Sequence, residues 1–177
     1  MLKKIKAGFY HLLHPKISFF LTSISKDGRP NVMACAWAMP VSEDPPIIVV
    51  SVSKESYTSE LIKQTKEFVI NIPNKDLLKS LWVCGKTSGR DIDKFAKAKL
   101  KQIKSKLLRT PRVDDCIGYI ECRLWKVVDS GECYAFFGKV LNVEVDDRYF
   151  KKGLWIKEAK IPLHLGGSRM VYFNDAE

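Results

Sequence analysis

Hydrophobic and polar positions change their period several times along this chain. Ile17 to Ser25 (ISFFLTSIS) is dense in β-branched and aromatic residues and reads as a strand. Lys26-Asp27-Gly28 supplies a hairpin turn, and Arg29 to Trp37 returns as a second strand. A rigid turn through Pro40-Val41-Ser42 and Pro45-Pro46 leads to Ile47 to Ser53, apolar enough to predict a strand buried on both faces. The period then lengthens. Thr58 to Thr65 predicts a short helix with Leu61 and Ile62 inward and Ser56 or Thr58 near its N-cap. Glu67 to Ile72 predicts a strand stopped by Pro73, and Asp76 to Val83 and Asp91 to Leu100 predict two further helices. Cys116 to Val128 and Cys133 to Val145 alternate as the arms of a long hairpin turned at Asp129-Ser130-Gly131. Residues 1–14 read as a helical or irregular lead-in, Lys101 to Arg112 as a loop, and Lys157 to Tyr172 as a C-terminal segment. Some six strands with short helices between them predict a mainly β fold, an antiparallel barrel decorated by helices.

Composition narrows this picture. The 177 residues suit one domain over 1–177, with 46% hydrophobic and 28% charged residues as in a globular protein. No apolar run approaches the roughly 20 residues that span a bilayer, so no membrane is expected. Lys3, Lys4 and Lys6 precede apolar residues, but His11, His14 and Pro15 interrupt them, and the segment reads as mature chain. The five cysteines (Cys35, Cys84, Cys116, Cys122, Cys133) form no CxxC pair, which argues against a disulfide framework and for a reducing cytoplasm. With three histidines in the chain, no metal site is expected. The net charge of +10 comes from lysines mostly spread along the chain, with one concentration from Lys94 to Arg112 that lacks interleaved aromatics and gives base stacking little support. A solvated basic surface and a site for an anionic cofactor or partner are the two readings of that charge.

Three stretches could carry chemistry. Asn31 to Ser53 begins with a strand whose Ala34, Cys35, Ala36 and Ala38 are unusually small, so a flat ligand could lie against its backbone; on these residues alone a tight crossing of two strands in a barrel wall is the favoured reading. Ser51-Val52-Ser53-Lys54 through Thr58 joins hydroxyls, a lysine and a helix N-terminus, which suits a phosphate as well as an ordinary cap. Cys84-Gly85-Lys86-Thr87-Ser88-Gly89 is a loop whose backbone can approach a ligand, although Arg90, Asp91, Asp93 and Lys94 could simply pin it by salt bridges. No hydrolase-type catalytic set appears, so any chemistry is expected from a cofactor.

Taken together, NVMACAWAMPVSEDPPIIVVSVS, SYTSELIKQTKEFVINIP and CGKTSGRDIDKF resemble the flavin reductase-like family, which includes flavoredoxin and an archaeal ferric reductase type. Weaker similarity continues to PLHLGG, so the resemblance covers most of the chain. It implies an FMN-binding split β-barrel, a homodimer with flavin near the interface, and NAD(P)H as electron donor. Carried over by position, Asn31, Met33, Ala34, Cys35, Ala36 and Trp37 would border the isoalloxazine. Ser51, Val52, Ser53, Lys54 and Thr58 would hold ribityl hydroxyls and phosphate, and Cys84, Gly85, Ser88, Gly89, Asp93, Lys94 and Phe95 would close over the flavin. No side chain is assigned a catalytic role, Cys35 and His164 being the two candidates. Where many relatives carry Asp-His after the glycine of the late hairpin, this chain has Gly131-Glu132-Cys133, which puts direct use of NAD(P)H in doubt. The expected function is a flavin-dependent oxidoreductase acting on free flavin, a ferric complex or a protein. An electron carrier reduced by a protein partner is the alternative within that class. A non-catalytic basic barrel binding nucleic acid is the alternative outside it, and the small-residue strand and glycine loop favour the flavoprotein.

Overall fold

The computed structural model describes residues 2–172. After a 3₁₀ turn at Phe9–Leu13, strands β1 (Lys16–Ile17), β2 (Phe19–Ile24), β3 (Pro30–Cys35), β4 (Ala38–Ser42) and β5 (Ile47–Ser53) lead to helix α1 (Tyr57–Thr65). Strand β6 (Glu67–Ile72) is followed by helices α2 (Leu78–Lys86) and α3 (Lys94–Lys97). The rest is β: a ribbon of β7 (Gln102–Ile103) with β8 (Arg112–Val113), the long pair β9 (Gly118–Ser130) and β10 (Cys133–Val145), a small hairpin of β11 (Phe150–Lys151) with β12 (Leu154–Trp155), then β13 (Pro162–Gly166) and β14 (Arg169–Tyr172).

Seven strands make one antiparallel sheet in the order β3-β2-β6-β9-β10-β5-β4. Its two edge strands, β3 and β4, are consecutive in sequence and separated by Ala36 and Trp37 alone. Three peptide steps reach about 11 Å, so the sheet must curl until its edges meet. Ser51 N–H ties the crossing to β5 by donating to Trp37 O at 2.9 Å. The small residues read from the sequence as either a crossing or a ligand platform are, at Ala36, literally the crossing.

Two apolar clusters result. Phe19, Leu21, Val50, Val52, Phe68, Ile70 and Phe136 fill the barrel, with Ile62 of α1 packed in. Phe20 and Val32, on the opposite faces of the same strands, pack outside it against Leu81 and Cys84 of α2 and Phe95 of α3. Strand β2 is therefore buried on both faces, because the barrel covers one and the helices the other. Strand β5, where both-face burial was expected, is sealed at Val50 and Val52 and half-buried at Ile48, Val49 and Ser51, since no helix covers its outer face.

Other boundaries move for local reasons. Pro40, Val41 and Ser42 belong to β4, and the turn is confined to residues 43–46. The helix expected over Asp91 to Leu100 shrinks to Lys94–Lys97, because Asp93 caps it by accepting from Ala96 N–H and Lys99 turns left-handed (φ 55°). Helix α2 runs on through Gly85 to Lys86, beyond the expected Val83. The late hairpin turns at Gly131-Glu132, with Gly131 at φ 77° supplying the left-handed residue. Loop 104–111 is pinned by carboxylates: Glu121 accepts the Lys106 and Leu107 N–H groups, and Glu67 those of Arg109 and Thr110.

Candidate functional site

Where β3 meets α1, α2 and the loop after α2, the surface opens into a groove with two lobes. The polar lobe has a volume of about 390 Å³ and is walled by Asn31, Met33 and Ala34 of β3, Ser53, Glu55 and the start of α1, Cys84 to Gly89, and Lys94. The apolar lobe, about 280 Å³, is walled by Ala34, Cys35, Ala36, Trp37, Leu81, Trp82, Ser18, Met170 and His164. Ala34, Gly85 and Lys86 line both lobes, so the two adjoin along β3 and α2.

The local sequence explains the shape. Ser56 caps α1 by accepting from Ser59 N–H, so the first free N–H groups of this nine-residue helix lie at the wall formed by Tyr57 and Thr58. Gly85, on the groove face of α2, comes close enough to Ala34 that an added Cβ would sit 3.4 Å from its methyl. Gly89 is more tightly constrained, since a Cβ there would fall 2.0 Å from Asn31 Oδ1. Asn31 is held by donating from Nδ2 to Thr58 Oγ1 at 2.8 Å and to Ser23 Oγ at 3.1 Å. Its Oδ1 is buried without a partner, as is Ser59 Oγ on α1.

Lys94 carries the charge of the polar lobe. It is 5% exposed, and none of the ion pairs among the described residues includes it. Burial pulls its ammonium below the ordinary lysine value, with the Cys84 thiol as its electrostatic neighbour. A buried, unpaired ammonium in one lobe with the unpartnered Asn31 Oδ1 and a helix N-terminus is arranged for an anion that also carries donors, such as a phosphorylated polyol. The apolar lobe suits a planar ring: its floor is backbone and small side chains, and its rims are Trp37 and Trp82, each beneath a lysine, Lys16 at 5.0 Å and Lys86 at 5.8 Å from the ring centres.

Of the positions selected from sequence, Asn31, Met33, Ala34, Ser53, Thr58, Cys84, Gly85, Ser88, Gly89 and Lys94 line the polar lobe, and Cys35, Ala36, Trp37 and His164 the apolar one. Others stand apart. Lys54 turns outward to Asp129, both carboxylate oxygens at 2.7 Å, and lies over the Tyr134 ring. Val52 faces the barrel core, Ser51 is spent on the crossing, Phe95 packs in the second cluster, and Asp93 is the cap of α3. Tyr57, Trp82, Ser18 and Met170 were not selected. Trp82 was legible in principle, one turn before Gly85 on the same helix, whereas Ser18 and Met170 arrive through the β1-β13-β14 sheet and carry no local signal.

Cys35 offers no thiolate at neutral pH, because burial raises its thiol to about 11; Sγ rests 3.5 Å from Trp37 N and 3.9 Å from Ser51 O. His164 places Nε2 3.0 Å from Gly167 O, with its ring 5.3 Å from that of His14, whose own nitrogens are buried and unpartnered.

Residues 13–174 match the family model described as flavin reductase like domain. An uncharacterised protein of Archaeoglobus fulgidus is 32% identical over 165 residues, spanning 93% of this chain and 92% of that one. The high molecular weight rubredoxin of Moorella thermoacetica is 30% identical over 127 residues, covering 71% of this chain and 55% of its own length. Among solved structures, flavoredoxin of Desulfovibrio vulgaris (Miyazaki F) superposes with a TM-score of 0.86 at 28% identity, over 100% of this chain and 94% of the other. The chain belongs to the flavin reductase-like domain family and has its split-barrel fold.

Proposed function

We propose that this member of the flavin reductase-like family binds FMN in the two-lobed groove and works as a flavin-dependent oxidoreductase. The observation that carries this reading is Lys94, an ammonium buried at the polar lobe with no carboxylate to neutralise it. A phosphate monoester supplies that missing charge, and a ribityl hydroxyl can donate to Asn31 Oδ1, so the residues present fit the group. Lys94 and the first N–H groups of α1 would hold the phosphate. Ala34, Cys35 and Ala36 would let the ring lie against backbone, and Trp37 and Trp82 would exclude water from it. Bound FMN supplies hydride and electron acceptance, which no side chain of this groove offers. Because Cys35 keeps its proton at neutral pH, it packs beside the ring rather than acting as a nucleophile.

NAD(P)H is the donor in the first form of this reading, with free flavin, a ferric complex or a redox protein as acceptor. A carrier fed by a protein partner is the second form. It is favoured by Gly131-Glu132-Cys133, which brings no imidazole to the late hairpin, and by the Moorella relative, whose name is that of an electron carrier. A homodimer is part of the proposal: edge strand β4 exposes Met39 and Val41 beside Trp37. Five unpaired cysteines favour a reducing, cytoplasmic setting. The test is a visible spectrum of protein loaded with FMN and freed of excess, followed by anaerobic NADH and NADPH. Retained flavin that bleaches with either nucleotide supports the reductase; retained flavin that stays oxidised supports the carrier. No retained flavin would overturn both.

A further inference from the structure

The most basic stretch of the sequence, between Lys94 and Arg112, takes no part in the groove beyond Lys94 itself. Its loop is nonetheless closely built. Glu121, 0% exposed, and Glu67 accept four backbone N–H groups between Lys106 and Thr110, and neither forms an ion pair with Lys104, Lys106 or Arg109. Lys104 and Arg109 stand exposed, and neither belongs to an ion pair among the described residues. The loop lies against the end of β2, sharing a cavity wall with Ile24, and Arg109 Nη2 donates to Lys26 O at 3.3 Å. From Lys26 the charge continues into a cleft of about 620 Å³ walled by Lys54, Lys63, Arg90 and Tyr134. That cleft adjoins the polar lobe: Lys54 lies between the lobe residues Ser53 and Glu55, and Arg90 follows Gly89. Glu60 and Asp129 pair with Arg90 and Lys54 at 2.7 Å, which leaves the cleft with two more cations than carboxylates.

We infer that this strip, Lys104-Arg109-Lys26 running to Arg90, Lys63 and Lys54, is the docking surface for an acidic electron-transfer protein that exchanges electrons at the groove. The inference rests on the proposed flavin reading and names its partner. A row in which cations outnumber carboxylates steers an oppositely charged surface and orients it on encounter. Nucleic acid is the weaker fit, because the one aromatic ring lining the cleft, Tyr134, is already engaged by Lys63 at 4.5 Å and Lys54 at 5.1 Å.

The test compares two charge-reversed proteins, both loaded with FMN. One carries Lys26→Glu, Lys104→Glu and Arg109→Glu in the strip. The other carries Lys139→Glu, Lys151→Glu and Lys152→Glu outside it, with the same change in net charge. After reduction with dithionite, each is mixed with an acidic rubredoxin, and bleaching of the rubredoxin is followed by stopped flow across a salt series. The strip variant should lose about tenfold or more in second-order rate at low salt and most of its salt dependence, while the control stays near the parent. Equal loss in both variants, or no loss in the strip variant, would overturn the docking surface. So would a 30-nucleotide single strand whose salt-dependent binding the strip variant alone abolishes, while rubredoxin transfer is unchanged. Circular dichroism and the retained flavin spectrum of both variants are read first, so that failure of the flavin reading is seen separately from failure of the docking surface.

Discussion

Two cations are buried among the described residues, and they are built in opposite ways. Arg112, 2% exposed, has Nε 2.8 Å from Glu121 Oε1 and Nη1 2.7 Å from Glu144 Oε2, with the Tyr119 ring 4.8 Å away. Its Nη2 lies 2.6 Å from the same Glu121 oxygen as a charge contact without hydrogen-bond alignment. Burial alone would lower its pKa, but the bonds to Glu144 and Glu121 outweigh that and hold it above the ordinary value. Lys94, 5% exposed, has no such partners, and burial wins. The first cation completes a network within the fold that also fixes the basic loop. The second is left incomplete by the fold, as a binding site is before its ligand arrives.

The largest effect expected from this contrast is on the satisfied side. Glu121→Ala leaves Arg112 with one partner of the two and frees the loop N–H groups, which should cost about 3–5 kcal/mol in urea or thermal unfolding. A loss below about 1 kcal/mol would show that the network contributes little. Lys94→Met should do the reverse: the protein without flavin keeps or gains stability, since an uncompensated buried charge disappears, while FMN affinity falls about 30-fold, or roughly 2 kcal/mol, by fluorescence titration. Unchanged affinity would remove Lys94 from the phosphate site.

A pH series sharpens the same comparison. Lys94 titrates below 10.5 in the folded protein and near it when unfolded. Between those values the unfolded state binds more protons, so the flavin-free protein gains stability as pH rises through that window. Phosphate favours the charged lysine, so FMN affinity should fall over the same rise, and Lys94→Met should flatten both trends. The smallest effect belongs to Lys54, which the sequence marked as the phosphate lysine. Its partner is the exposed Asp129, and Lys54→Ala should change FMN affinity by no more than about twofold. A tenfold loss would mean that Lys54 leaves Asp129 for the ligand.

Legibility in the sequence followed how local each signal was. The strands of the late hairpin were readable from alternation, and the α1 cap as Ser56 or Thr58, of which the structure uses Ser56, because a period and a cap are properties of neighbouring residues. Lys54 and Lys94 look alike in the chain, each a lysine close to a predicted helix start. They separate only when β10 delivers Tyr134 and β9 delivers Asp129 to one of them and the second core seals the other. Strand β5 was read as doubly buried because its run of residues is so apolar, but a strand's outer face is covered or bare according to where the helices pack.

The chain by itself determined the mainly β class, the order of its elements, and the small-residue strand and glycine loop that form the groove walls. It also determined a family resemblance long enough to specify the split barrel. Tertiary structure decided which cation is paired and which is left waiting, that a tryptophan of α2 and a methionine of β14 finish the apolar lobe, and that the basic loop faces outward. The physical reason is range: propensity, alternation and capping act across a few residues, whereas charge compensation depends on groups that meet only once the sheet has curled and closed.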